Sequence, residues 1–293
     1  MVADSEGITL FVDPNAIKMF EYANVRDLVI IAPEQWRAIQ IHLGPMVAEF
    51  PGVISFLTQL LAEDNISILN MSTYDTDIIY VQECNLERAI DCLQNKLSRG
   101  VHGLKECKDE ETSRKLSGED LGSPLPAPAP LLSPASVSSS SQYLAVYPTS
   151  FFLVRLRVES IRESAFGLTQ LLLSTNVGGI SATSFQTGNS FWCYSETSEE
   201  ISMIVDEDSL AHFSENAVIV SPDRWRGITL CGRRVGFEET GIVAAMSGIT
   251  SVNTQVLNIS SYGSNVTLVL ENALEESITC LCETLNLDRV VRL

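Results

Sequence analysis

The run Gly236-Phe237-Glu238-Glu239-Thr240-Gly241 stands directly before the apolar pair Ile242-Val243. A glycine-rich turn entering a helix presents backbone N–H groups that the helix itself leaves unsatisfied, and these suit a carboxylate; nearby acids and carbonyls suit an ammonium. Together they describe a site for an amino-acid zwitterion. A simpler reading is that Gly241 merely starts a helix and that Glu238 and Glu239 complement its dipole. The residues alone leave both readings open.

Catalysis has little support in the chain. His42, His102 and His212 lie in unrelated contexts, no Ser/His/Asp or Cys/His arrangement recurs, and the acids lack a motif pairing them for acid/base work. Cys280 and Cys282 fall on the apolar side of a predicted helix and read as core rather than as metal ligands. No enzyme activity, metal or cofactor is expected. A formal charge of −18, from 37 acidic and 19 basic residues, repels phosphate backbones and anionic lipid, which argues against nucleic acid and membrane partners. The first residues have neither a basic nor an apolar leader region, and the apolar stretch Tyr143 to Val158 is interrupted by Pro148 and arginines. Seven cysteines without metal-ligand spacing fit a reducing compartment, so a cytosolic location is expected.

The elements that must position the glycine turn occur twice. Asn65 to Tyr74 and Asn253 to Tyr262 are versions of one another, and Pro33 to Ile39 echoes Pro222 to Ile228 at matching spacing upstream. Trp36 and Trp225 fall at equivalent positions and are expected to share a packing role. Between the halves, residues Cys107 to Gln142 turn from charged to Ser/Pro/Ala-rich and read as a flexible tether. After it, the periodicity predicts a strand at Phe151–Val158, a helix at Ile161–Leu173, strands at Ile180–Phe185 and Phe191–Val205 around a Gly188-Asn189 turn, a helix at Asp206–Phe213 and a strand at Val218–Val220. The order repeats with a strand at Arg226–Leu230, a helix at Gly241–Val252, strands at Gln255–Ser261 and Asn265–Glu271, a helix at Ala273–Leu285 and a strand at Arg289–Leu293. The fold class is α+β: βαββαβ units of ferredoxin-like type, each an antiparallel sheet with both helices on one face, whose bare faces and edges need partners.

Gly52 to Leu69 resembles the helix and following strand of ACT regulatory domains. Met71-Ser72-Thr73-Tyr74-Asp75-Thr76-Asp77, Gly236-Phe237-Glu238-Glu239-Thr240-Gly241-Ile242-Val243 and Ser195-Glu196-Thr197-Ser198-Glu199-Glu200 resemble motifs of the CASTOR family of cytosolic arginine sensors upstream of the TOR kinase complex. The resemblance implies tandem ACT units: residues 1–25 as the remnant of a first unit, 26–106 as a second, 107–142 as the linker, 143–216 as a third and 217–293 as a fourth. Gly7 to Asp13 match Glu200 to Asp206, so the first strand, helix and second strand of the first unit are read as missing. The exposed edge and apolar surface this leaves favour association, with a homodimer as one form.

The resemblance also implies a ligand, free arginine, between the second and fourth units. Ser67 and Ile68 would form one wall; Gly236, Glu239, Gly241, Ile242, Val243 and the run Ser261, Tyr262, Gly263, Ser264 and Asn265 would form the other. Backbone around Ser67, Gly241 and Ile242 would hold the main-chain groups, with Glu239 and the loop after Ser261 meeting the side chain. The family's Asp is Asn265 here, a change that weakens a guanidinium contact about tenfold and points to micromolar or weaker binding. Tyr74, Asp75 and Asp77 would carry the contact with a GATOR-type complex, although Tyr74 reads equally as a packed strand-end residue and the two acids as turn residues. The competing functional reading is an ACT-type regulatory subunit that controls a biosynthetic enzyme; a ligand-free dimerisation module is third.

Overall fold

The structure is a computed structural model describing residues 1–41, 52–96, 141–173, 191–198, 200–232, 236–249, 252 and 254–293. Apart from Ser141 and Gln142, the tether lies outside the described residues, as do the strand expected at Ile180–Phe185 and its Gly188-Asn189 turn. In chain order the elements are β1 (Val2–Asp4), β2 (Gly7–Thr9), α1 (Pro14–Tyr22), β3 (Trp36–Ile41), α2 (Val53–Glu63), β4 (Ile68–Ser72), β5 (Asp77–Gln82) and α3 (Leu86–Lys96). There follow β6 (Tyr143–Leu156), α4 (Ala165–Leu173), β7 (Trp192–Glu196), β8 (Ile201–Asp206), α5 (Glu207–Leu210), β9 (Val218–Cys231), α6 (Ile242–Ser247), β10 (Val256–Ser261), β11 (Ser264–Leu270), α7 (Leu274–Leu285) and β12 (Val290–Arg292).

Local sequence explains the boundaries. Asp13 accepts from the amides of Asn15 and Ala16 and so caps α1, with Pro14 at its first turn. Asn24, Asn65 and Asn286 adopt left-handed backbone, and each is followed by an apolar residue whose amide bonds back one turn: Val25 to Phe20 O, Ile66 to Leu61 O and Leu287 to Cys282 O. This is one closing device used at three helix ends. At the other end of α2 and α6 stand Gly52 (φ 96°) and Gly241 (φ 82°), left-handed residues at equivalent places in the repeat.

Three expectations need correction. Phe191–Val205 is not one strand but β7 and β8, because the polar run from Ser195 closes into a turn in which the Thr197 amide donates to Glu200 O. Val218–Val220 and Arg226–Leu230 are one strand, β9, of 14 residues; Pro222, which lacks an N–H, falls where its register with β6 shifts. The Gly241–Val252 helix shortens to the six residues of α6. A fourth difference concerns the N-terminus: Val2–Asp4, where no second strand was expected, is β1, hairpinned to β2 and paired with β7 through Val2↔Cys193 and Ala3↔Trp192.

Among the described residues all strands belong to one sheet in the order β2-β1-β7-β8-β6-β9-β11-β10-β4-β5-β3, with β12 parallel to the start of β6. The two repeats meet at β4 and β10. One helix-side core joins Leu57, Leu61, Ile66, Ile79, Val81 and Leu93; another joins Ile228, Leu230, Met246, Val269, Ile278 and Leu281. The sheet's other face is covered by itself: Val2, Met71, Ile78, Phe151, Ile204, Trp225, Ile259 and Val266, drawn from strands along its whole width, form one cluster. Bare faces therefore pack on each other, as an amphipathic sheet requires. Trp225 lies in this cluster, whereas Trp36 is half-buried against Phe237, so the equivalent tryptophans do not share a packing role.

The β4–β10 seam has a single backbone register pair, Ile259↔Met71. Side chains close it on either side. Asn70 N donates to Ser260 Oγ and Asn258 N to Ser72 Oγ, both at 3.0 Å, and Asn70 Nδ2 donates to Asn258 O at 3.0 Å. The sequence repeat Asn-x-Ser is thus a reciprocal clamp on a pseudo-twofold. Removing either hydroxyl strands a buried amide, so Ser72→Ala and Ser260→Ala are each expected to lower the unfolding free energy by about 1–3 kcal/mol. Urea titrations of both single variants and the double variant check this, with the seam predicting coupling rather than simple addition.

Candidate functional site

The strand start at Ser67 and the turn before α6 are brought together across the seam. Ser67 Oγ lies 2.5 Å from Phe237 O and 3.0 Å from Glu239 O, so its one hydroxyl proton is shared between two carbonyls of the glycine turn. The turn also closes on itself: Glu239 N donates to Gly236 O at 3.1 Å, and Gly236 N donates to Glu239 Oε1 at 2.9 Å. Phe237 sits between the edges of Trp36 and Tyr262, at ring-centroid distances of 5.5 and 5.0 Å. Gly241 places the first turn of α6 behind this loop with no side-chain cap. Carbonyls, the amides that open α6 and one carboxylate therefore come together at a junction of two repeats, next to aromatic edges. That set can hold an ammonium, a carboxylate and a cationic side chain.

The remaining residues of the expected ligand wall divide into separate groups. Ile68 and Val243 are buried together in the core under α2, and Ile242 is buried in the core under α7, so these three offer a ligand backbone only. Continuing the Ile259↔Met71 register places Ser67 level with Gly263, in the β10–β11 turn. That turn is held from the first hairpin: Ser261 Oγ donates to Asp4 Oδ2 at 2.6 Å and Tyr262 N donates to Thr9 Oγ1 at 2.9 Å. Ser264 opens β11. Asn265 lies inside the sheet, where its amide exchanges bonds with Asn258 at 2.7 and 2.9 Å and donates to Ser260 Oγ at 3.2 Å. Its polar groups are engaged with the seam rather than directed at the turn.

Tyr74, Asp75 and Asp77 do not form one exposed patch. Tyr74 is half-buried against the inter-layer cluster and Asp75 is exposed, but Asp77 is buried. Burial pushes the Asp77 carboxyl up to about 6, against hydrogen bonds from Ser72 and Asn70 that pull it down. Asp77 is therefore a seam residue, and its place in a surface contact is corrected on that ground. The turn carrying Tyr74 is gripped by the β7–β8 turn and by β6: Thr73 Oγ1 donates to Glu200 Oε1 at 2.5 Å, Asp75 N donates to the same oxygen at 3.2 Å, and Arg155 of β6 pairs with Asp75 at 2.5 Å.

Asp4, Thr9, Arg155 and Glu200 hold these turns, and the sequence did not single them out for that part. The signal lay in the Ser-Glu-Thr-Ser-Glu-Glu run, where only geometry reveals that the last acid is buried. Among the described residues no group of three or more His, Cys, Asp or Glu side chains is arranged to hold a metal ion.

A family model described as the ACT domain matches residues 31–95 and 220–283, the two segments that meet at the seam. The chain is similar to the cytosolic arginine sensor for mTORC1 subunit 1 of Rattus norvegicus, at 25% identity over 96% of this chain and 82% of that protein. The protein of the same name from Homo sapiens matches at 25% identity over 94% of this chain and 83% of its own length. Among solved structures, an aspartate kinase from Synechocystis covers 88% of this chain and 41% of its own, with a TM-score of 0.35 and 12% identity. A protein from Agrobacterium tumefaciens covers 53% of this chain and 94% of its own, with a TM-score of 0.34 and 21% identity. No helix among the described residues is long and apolar enough to cross a membrane. The chain thus carries two segments that match the ACT domain and is similar, along nearly its whole length, to the cytosolic arginine sensors for mTORC1.

Proposed function

We propose that this protein is a non-enzymatic cytoplasmic sensor of a free amino acid, arginine or close to it, that reports ligand state to a protein partner in TOR signalling. The observation that carries the reading is the Ser67 junction: one hydroxyl from the first repeat donates to Phe237 O and Glu239 O of the second. A ligand ammonium has the same donor chemistry as that hydroxyl but carries charge and three protons, so it would hold the same carbonyls more strongly. A ligand carboxylate would meet the amides after Gly241, and Glu239 would face a guanidinium.

In this reading the chain is divided into units at 1–25, 26–106, 143–216 and 217–293, with 107–142 as tether. The ligand bridges the second and fourth. By bridging them it would favour one seam geometry over others, and the turn at Tyr74, just beyond the end of β4, would report the change. Tyr74 and Asp75 are the partner-facing residues, with a GATOR-type complex as the partner suggested by the relatives' role in mTORC1 sensing. Arg155 and Glu200 hold that turn in the described state.

Calorimetry with arginine and a panel of other free amino acids tests the ligand. Saturable arginine binding is expected, weakened about tenfold by Glu239→Gln, which keeps shape and hydrogen-bonding capacity but removes the charge. Absence of heat with arginine together with saturation by another amino acid would overturn the assignment. Pull-down from cell lysate tests the output: recovery of the TOR-regulating complex should change with arginine and fall in Tyr74→Ala. Recovery of a metabolic enzyme instead would make the protein a regulatory subunit.

A further inference from the structure

The two repeats place an amide–amide pair and an amide–acid pair at equivalent positions. In the second repeat, Asn258 and Asn265 face one another diagonally across β10 and β11, and each amide donates to the other's oxygen: Asn258 Nδ2 to Asn265 Oδ1 at 2.9 Å and Asn265 Nδ2 to Asn258 Oδ1 at 2.7 Å. In the first repeat the same diagonal, across β4 and β5, carries Asn70 and Asp77. Asn70 reaches Asp77 as a hydrogen-bond donor, forming one arm of such a pair. The other arm has no bond. Asn70 Oδ1 and Asp77 Oδ1 are both buried and both lack a hydrogen-bond partner.

The orientation of Asn70 is set by the fold. Its Nδ2 donates to the backbone carbonyl of Asn258 at 3.0 Å, and a flipped amide would press oxygen against oxygen there. Asn70 Oδ1 must therefore find a donor, and the group at the matching position in the second repeat supplies an N–H. Asp77 can supply one only as a carboxylic acid. We propose that Asp77 takes up a proton in the folded protein as the pH falls into the mildly acidic range and then donates to Asn70 Oδ1, which makes the β4–β10 seam a pH-sensitive junction.

Proton balance is simple: the acid form closes both arms, and loss of the proton to solvent leaves a buried carboxylate facing an amide oxygen. Among the described residues no neighbouring charge offsets this. β3 brings Ile41 opposite Asp77, β4 contributes Ser72 and Asn70, and β10 contributes Asn258 and Ser260 across the seam, none of them titratable. The acids around the adjoining turn are engaged elsewhere, Asp75 with Arg155 and Glu200 Oε1 with Thr73 and the Asp75 amide. Burial accordingly moves the carboxyl up to about 6 from an ordinary value of 3.8.

A carboxyl raised on folding stabilises the fold fully below its unfolded value, and that stability is lost as pH rises through about 6. Between pH 7.5 and pH 5 the contribution of this one group amounts to about a tenfold increase in the folding constant. The experiment is urea unfolding of the full chain at pH 5, 6 and 7.5, comparing wild type with Asp77→Asn. The variant reproduces the pair of the second repeat without a titrating group. It should gain stability at pH 7.5, and the pH dependence that distinguishes wild type from variant should be about tenfold in folding constant. Equal pH dependence in the two proteins would overturn the proposal. As a readout independent of the variant, carboxyl carbon NMR of the wild type should show Asp77 titrating near 6; an Asp77 signal already ionised at pH 5 would overturn it as well.

Discussion

Four groups in the β4–β10 seam hold the molecule's two repeats in register: the amides of Asn70 and Asn258 and the hydroxyls of Ser260 and Ser72. The seam is narrow, with one backbone register pair, and a sheet junction of that width would leave its flanking amides buried and unpaired without the serines. Everything functionally interesting hangs from this junction. The glycine turn reaches Ser67 because β4 and β10 run antiparallel at this register, and the Tyr74 turn lies at the far end of β4 for the same reason. A shift of one residue would turn Met71 and Ile259 out of the inter-layer core and break both hydroxyl contacts at once.

The duplication uses one backbone plan for two purposes. At the Ser67 end, a strand start grips the carbonyls of a glycine turn and aromatic edges gather around Phe237. At the Tyr74 end, the turn is gripped by a carboxylate and an arginine from β6 and the β7–β8 turn. The first hairpin plays the corresponding part for the β10–β11 turn, through Asp4 and Thr9. Each turn of the seam is thus fastened to strands of the opposite layer. A change at one end of the seam has a physical route to the other through strands that are only five to seven residues long.

The α+β repeat was legible in the sequence because its hydrophobic pattern and the Asn-x-Ser segments recur at matching spacing. The edges of β10, β11 and α7 were read to within about a residue or two, since turns and an αL asparagine mark them. The long strands β6 and β9 were not legible. Pro148 and Pro222 look like strand breaks in one dimension, but a bulge absorbs each of them when a neighbouring strand is present. The first strand was hidden for a related reason: Val2–Asp4 is too short to show periodicity and exists by pairing with β7. At the site, the glycine turn was read from its residue types and Ser67 from the family resemblance. The burial of Asp77 and the engagement of Asn265 were not, because identical polar letters serve a surface or a buried network depending on which face of the strand they occupy.

The central claim is that an amino acid is held where Ser67 meets the glycine turn. Hydrogen–deuterium exchange of the full chain, with and without saturating arginine, tests it most directly. Slower exchange at the amides around Ser67 to Asn70 and from Gly241 to Met246, on both sides of one junction, is the predicted result. Arginine-dependent protection confined to other segments, with these amides unchanged, would contradict it.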